Sequence, residues 1–219
     1  MLPPIVVLAA VVVAGYMLGS VPSGLILGKL HRGIDIRDFG SGRTGATNVL
    51  RTLGPVASAV VLFSDAAKGA LAVILARTVL EQMGLPWWPD VGAVLASLAA
   101  LAGHNWPAFI GFRGGRGVAV AAGSMAVLVP LVFVAAAIVG VLVIFLSRFV
   151  SLGSVVATII AALLIVSFVV AGAYPAPDVV FSLVAGSVIL IQHRDNIERL
   201  RTGTERKLGQ RERAGESAR

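Results

Sequence analysis

From Pro4 to Leu27 the chain carries no charged side chain, and long apolar runs recur after it until a polar C-terminal end. A helix needs roughly 20 consecutive apolar residues to cross a bilayer, and several of these runs reach that length. Inside hydrocarbon every backbone N–H and C=O must find a partner, which a helix supplies from within itself. Composition points the same way. Of 219 residues 57% are hydrophobic and 13% charged, too few charges to cover a soluble domain. The expected fold class is all-α: a polytopic integral membrane protein, one membrane-embedded domain over 1–219 with 200–219 as a basic cytoplasmic tail.

Charge sets the expected topology. The first span runs from about Pro4 to Leu27, and positive charges come after it, at Lys29 and Arg32. With no basic residue before the apolar run, it reads as a span and not a cleaved signal, with its N-terminus outside. A polar segment, His31 to Gly54, leads to a second span, Pro55 to Leu80. Glu81, Trp87, Trp88 and Asp90 then make a short loop in which the tryptophans act as interfacial anchors. The third span is Val91 to Ile110. Val118 to Leu146 exceeds one span and holds Pro130 near its middle. A hairpin turning there, with limbs of roughly 14 residues, keeps Arg116 and Arg148 on one face. Spans at Ser154–Ala171 and Val179–Gln192 complete seven transmembrane helices, two of them short, with the N-terminus out and the C-terminus in. Among the cations before the tail, only Lys68 and Arg77 then fall away from the inner loops.

Several chemistries drop out early. The chain has no cysteine, which removes disulfides, thiolate zinc sites and cysteine nucleophiles. Its three histidines (His31, His104 and His193) are scattered, and no metal or other cofactor is expected. The net charge of +7 is accounted for by cytoplasmic loops and an anionic substrate, with no nucleic-acid partner.

The densest polar signal is the run Gly40-Ser-Gly-Arg-Thr-Gly-Ala-Thr-Asn48, with Arg51 after it. Glycines 40, 42 and 45 allow positive φ, so successive N–H groups can face one concavity and bind an anion. Ser41, Thr44, Thr47 and Asn48 add neutral donors, and Arg43 and Arg51 add forked cationic ones. A helix starting near Thr44 or Thr47 would bring its dipole to the same place. The run is not a nucleotide P-loop, because Ala46 stands where the lysine belongs.

A second loop, Gly103-His-Asn-Trp-Pro107 and Gly111 to Gly117, sets His104, Gly114, Gly115, Arg116 and Gly117 at the end of a span. Arg116, between two glycines, reads as a backbone-assisted anion contact, Arg113 as an ordinary cytoplasmic cation. His104 either packs within the helix end or contacts substrate. At the turn before the sixth span, Ser151 and Ser154 either donate to phosphate or cap a helix. His193 and Asn196, three apart, share a face of a continuing helix. Asp65 and Lys68, also three apart but inside a span, read as a mutually supporting pair.

Together these segments resemble the bacterial acyl-phosphate:glycerol-3-phosphate acyltransferase family (PlsY). The resemblance runs in order through Gly19–Gly24, Ser41–Arg51, Asp65–Gly69, Gly103–Asn105, Gly114–Ala119, Ser147–Ser154 and His193–Ile197. It departs from the family at Arg43, usually Asn, and at Arg116, usually Lys. Carried over by position, it makes Ser41, Arg51, His193 and Asn196 the catalytic set, with Arg116 at a cationic position and the loop from Gly40 holding phosphate.

The resemblance implies transfer of a fatty acyl group from acyl phosphate to the 1-hydroxyl of sn-glycerol 3-phosphate. It places the enzyme in the bacterial cytoplasmic (inner) membrane with its site facing the cytoplasm. Bilayer lipid is then a neighbour, and contact with the enzyme that supplies acyl phosphate is a further partner to expect. Acyl phosphate carries its own leaving group, so the protein's tasks are to hold two anions, orient a hydroxyl and stabilise departing phosphate. Proton removal falls to His193 or to a substrate phosphate oxygen. Two rivals fit less well. A CoA- or carrier-protein-dependent acyltransferase needs His-x4-Asp, which His31 and Asp35 miss by one residue. A transporter would set its cations near the midplane, not on one face.

Overall fold

The computed structural model describes residues 3–84 and 88–210, and every regular element among them is helical. Trp87, expected as an interfacial anchor, lies outside the described residues, as do positions 211–219 of the basic tail.

The first span is broken where one helix was expected. Helix α1 covers Pro4–Ser20 and α2 covers Ser23–Arg32. Pro22 has no N–H and forces Val21 out of helical backbone, to φ −62°, ψ 113°. This break has a chemical consequence: the Val21 carbonyl, released from the helix ladder, accepts a hydrogen bond from Lys68 Nζ at 2.8 Å. The polar segment then folds into a 3₁₀ turn, Ile36–Asp38, and a short helix α3, Ala46–Leu53.

Helix α4, Pro55–Glu81, and α5, Trp88–Asn105, form the centre with α1. Their approach depends on missing side chains. A Cβ at Gly19 would meet the Ala100 carbonyl of α5, and one at Gly103 would meet the Tyr16 carbonyl of α1. Small residues let helix backbones touch where lipid offers no hydrophobic drive to association. Helix α6, Val118–Leu128, packs on α4 in the same way, with Gly69 against Val120 and Gly123 against Ala66.

The chain does turn at Pro130, but the two limbs are unequal. Val129 (φ −140°, ψ 64°) alone separates the 11-residue α6 from the 18-residue α7, Pro130–Ser147. Proline fits the first helical position at no hydrogen-bond cost, so the second limb starts at once and reaches span length by itself. The start of α6 and the end of α7 nevertheless line one cavity, through Val118 and Ile144. Helix α8, Val150–Val170, begins four residues before the expected Ser154, and α9, Pro177–Gln192, is short. After His193 comes α10, Arg194–Arg201.

Five helical segments are long and apolar enough to span a membrane, and α6 and α9 are shorter apolar helices. Their outer faces carry large exposed hydrophobics, among them Phe63, Phe145 and Val170, the last 83% exposed. A surface of that kind is stable only against lipid.

Candidate active site

Three helices start at one place without a side-chain cap. Helix α3 starts after Gly45, α6 after Gly117 and α8 after Phe149. The first residues of all three line a single cavity of about 330 Å³. Each start leaves backbone N–H groups with no partner in its own helix and a positive dipole end. Convergence of three makes a strong anion receptacle.

The glycine loop is built to hold α3 there. Gly40 (φ 61°) and Gly42 (φ 67°) take the left-handed conformation expected of them, whereas Gly45 is extended at φ −75°. Asn48, 2% exposed, organises the turn: its Nδ2 donates to the carbonyls of Ile36, Phe39 and Arg43 at 2.8–3.0 Å, and its Oδ1 accepts from the Ser41 N–H. Expected to donate to phosphate, Asn48 spends its amide nitrogen on the loop itself. Thr44 is also buried, and Gly40, Gly42, Gly114 and Gly115 shape the loops rather than the cavity wall. Arg37 ties the two glycine loops together by donating to the Ile110 carbonyl (2.8 Å) while paired to Asp35 (2.7 Å). Hydrogen bonds from the Arg37 side chain hold the Asp35 carboxyl down at about 2. Arg113 lies in a separate outer groove beside Asp35, Arg37 and Gly42.

Most of the residues singled out in sequence do meet at the cavity. From the first loop come Ser41, Arg43, Gly45, Thr47, Asn48 and Arg51; from the second, His104, Arg116 and Gly117. The turn into α8 supplies Ser151 and Ser154, the junction of α9 and α10 supplies His193 and Asn196, and α4 supplies Asp65. Arg116 Nε donates to the Gln192 carbonyl at 3.2 Å. Burial, then the neighbouring charges of Arg43 and Arg199, lower its pKa to about 10, so it stays cationic at neutral pH.

His193 is neutral. Burial lowers its pKa to about 4, and its Nδ1 sits 2.8 Å from the Ile189 carbonyl. A carbonyl only accepts, so Nδ1 carries the hydrogen and Nε2 keeps a lone pair. Asn196 Nδ2 donates to Glu205 at 2.8 Å, and its buried Oδ1 has no hydrogen-bond partner among the described residues. An orphaned acceptor in such a cavity suits a ligand hydroxyl.

Asp65 and Lys68 pair at 2.8 Å, both buried. The same Oδ1 accepts from Ser23 Oγ (3.0 Å) and lies 3.7 Å from His104 Nδ1. On its other side the His104 ring sits against Gly115, where any Cβ would meet Nε2. The buried pair therefore extends to an imidazole on the cavity wall, a link that spacing along one helix does not reveal.

Neither serine caps α8. Ser154 Oγ donates to the Val150 carbonyl and Ser151 Oγ to Glu205, while Ser147 Oγ accepts from the Phe149 N–H. Glu205, within the segment expected as a basic cytoplasmic tail, lines the cavity. It is 8% exposed and takes hydrogen bonds from Ser151 (2.7 Å), Asn196 (2.8 Å) and Arg199 (2.8 Å). Burial pushes its pKa up, but these three hydrogen bonds outweigh it and hold the carboxyl below the usual glutamate range. The available sequence signal was Gly203, which ends α10 at φ 70° and turns the chain back.

The whole assembly matches a family model. The model described as glycerol-3-phosphate acyltransferase matches residues 9–203. The chain belongs to the glycerol-3-phosphate acyltransferase family. It is 48% identical over 211 residues to glycerol-3-phosphate acyltransferase of Parasynechococcus marenigrum, covering 96% of this chain and 94% of that one. Glycerol-3-phosphate acyltransferase 2 of Moorella thermoacetica is 45% identical over 204 residues, with 93% and 98% covered. Among solved structures it is similar to PlsY (YgiH), an integral membrane glycerol 3-phosphate acyltransferase, in its glycerol 3-phosphate form. That likeness has a TM-score of 0.82 and 37% identity, over 92% of this chain and 96% of the other. This glycerol-3-phosphate acyltransferase family member is thus a membrane enzyme whose cavity is cationic, through Arg43, Arg51 and Arg116.

Proposed function

We propose that this enzyme moves a fatty acyl group from acyl phosphate to the 1-hydroxyl of sn-glycerol 3-phosphate, without CoA. The products are lysophosphatidic acid and inorganic phosphate, and the reaction is the first committed step of phospholipid synthesis. The observation that carries this reading is the meeting of three uncapped helix starts with Arg43, Arg51 and Arg116 around one cavity. Two phosphate-bearing reactants need that much positive potential in one place.

In the proposed reaction the hydroxyl oxygen bonds to the acyl carbonyl carbon and the carbon–oxygen bond to phosphate breaks. The hydroxyl hydrogen bonds to Asn196 Oδ1 or His193 Nε2, and the departing phosphate leaves with the proton. Arg51 and Arg116 balance the charge that grows on the leaving phosphate, and the N–H groups opening α3 and α6 face the developing oxyanions. Ser41 donates to glycerol 3-phosphate, and Ser151 is fixed by Glu205 beside it. His193 has so low a proton affinity that it orients the hydroxyl better than it stores a proton.

Seven membrane segments with the N-terminus out and the C-terminus in set this cavity toward the cytoplasm of a bacterial inner membrane. Five span-length segments and two shorter apolar helices support that arrangement, as do the cations flanking the cavity. Contact with the enzyme that makes acyl phosphate would spare a labile donor from water.

The test is direct. Purified protein given palmitoyl phosphate and glycerol 3-phosphate releases phosphate and forms lysophosphatidic acid with no CoA present. Turnover with palmitoyl-CoA alone, or solute uptake without turnover, would overturn the proposal.

A further inference from the structure

The outer groove between the two glycine loops measures about 780 Å³, and its charged lining is Arg37, Arg43 and Arg113 with Asp35 and Asp38. Arg43 is the one residue that lines both this groove and the anion cavity. The groove is held in shape from both sides. Arg37 commits its donors to the loops, Nη1 to the Ile110 carbonyl and Nε and Nη2 to Asp35. Across from it Phe112 takes φ 59°, a conformation that a bulky residue rarely adopts, and its N–H donates to the Pro107 carbonyl at 3.0 Å. The next residue, Arg113, lines the groove. Among the described residues the guanidinium groups of Arg43 and Arg113 make no hydrogen bond or ion pair. With Asp35 neutralised by Arg37, two cations with unused forked donors stand against one exposed carboxylate, Asp38.

We propose that this groove is an outer binding site for the phosphate of soluble glycerol 3-phosphate, from which Arg43 passes it to the anion cavity. This rests on glycerol 3-phosphate as the acceptor and adds its route from water. A phosphate monoester carries close to two negative charges at neutral pH, and planar guanidinium forks match its oxygens. The proposed donor has a long apolar chain and concentrates in the bilayer. The acceptor stays in water, and the groove is exposed at Asp38, Gly42, Phe112 and Arg113. A site that only receives a ligand and passes it on must bind weakly enough to let go. Asp38 supplies that weakness, because its carboxylate repels phosphate in the same groove.

Charge changes outside the anion cavity test this. Arg113→Glu should raise KM for glycerol 3-phosphate by roughly tenfold at low salt, with kcat and the KM for palmitoyl phosphate at wild-type values. Asp38→Asn should lower the same KM, and Arg113→Lys should keep it near wild type. These effects should shrink with salt, as the screening length falls from about 30 Å at 0.01 M to about 3 Å at 1 M. Both side chains are exposed, so the fold does not depend on them. An unchanged KM for glycerol 3-phosphate in Arg113→Glu and Asp38→Asn would overturn the proposal. So would a change confined to inhibition by inorganic phosphate, which would make the groove an exit for product. An Arg113→Glu effect seen only in vesicles containing phosphatidylglycerol would overturn it as well and give the groove to a lipid headgroup. Wild-type protein that acylates no glycerol 3-phosphate from any donor would instead refute the acceptor, a separate outcome.

Discussion

Glu205 holds Asn196. The carboxylate oxygen Oε1 lies 2.8 Å from Asn196 Nδ2 and 2.7 Å from Ser151 Oγ, so one side chain from beyond α10 fixes donors on α10 and α8 together. The segment that carries it is strapped down next to α8: the Leu208 N–H donates to the Arg148 carbonyl at 2.7 Å, and Lys207 lies over the Phe149 ring. Asn196 Oδ1 is aimed by this contact, because rotating the amide would break it.

Glu205→Ala should therefore lower kcat by roughly 10²-fold, the cost of about 1 Å of misplacement at a reacting centre. Glu205→Gln keeps an oxygen on Ser151 and Asn196 and should retain most of the activity. Steady-state kinetics of both variants, with limited proteolysis after Gly203 to report release of the strap, checks this. Equal loss in the two variants would show that charge and not aim is what matters.

Arg51→Ala should abolish turnover, by roughly 10²–10³-fold or more, while the protein still inserts and purifies. Arg51 lines the cavity from the last turn of α3, on the side opposite the helix's buried Val49 and Leu53. Phosphate release and size-exclusion behaviour in detergent give the two readouts. Wild-type rates would remove Arg51 from the site.

Asp65→Asn leaves Lys68 as a buried cation without its carboxylate, held by its hydrogen bond to the Val21 carbonyl. Breaking one partner of such a pair costs about 3–5 kcal/mol, whereas removing both often costs little. Thermal unfolding in detergent should show a large loss for Asp65→Asn that is mostly recovered in Asp65→Asn with Lys68→Met. A double variant as unstable as the single one would show that the pair is not the source.

Gly123→Ala should destabilise by at least about 1–3 kcal/mol, because its Cβ would run into the Ala66 carbonyl of α4. At Gly186 the nearest atom to an added Cβ is a Thr158 methyl at 3.8 Å, so Gly186→Ala should be neutral or stabilising by up to about 1 kcal/mol. The folded yield and melting temperature of the two variants should diverge.

Stability should fall on acidification in two steps. His193 has a folded pKa of about 4, below its ordinary 6.5, so the unfolded chain binds the proton first and stability drops as pH falls from 6.5 toward 4. Glu205 is also depressed, and its contribution, present above the ordinary glutamate range, is lost as pH falls below it. His193→Asn should shrink the first step and leave the second, as read by melting temperature against pH.

The sequence alone determined the solvent of this protein and the chemistry its loops hold. Runs such as Pro4–Leu27 admit only helices in lipid, and the Gly40–Asn48 run concentrates donors that phosphate uses; both are local properties, fixed by side-chain type and spacing. What the tertiary structure decided is how those donors are used. Pro4–Leu27 reads as one span in sequence; only the folded chain shows it broken at Pro22, with the freed Val21 carbonyl meeting Lys68 across 47 positions. Asn48 carries the chemistry of a ligand contact and serves as a loop strut, because three carbonyls close around its amide. Glu205 stands among tail charges and becomes part of the site, since Gly203 reverses the chain over α8. The convergence of three helix starts is invisible in any one segment, because a dipole's direction depends on where its helix is pointed, and that is set by backbones in contact across glycines far apart in the chain.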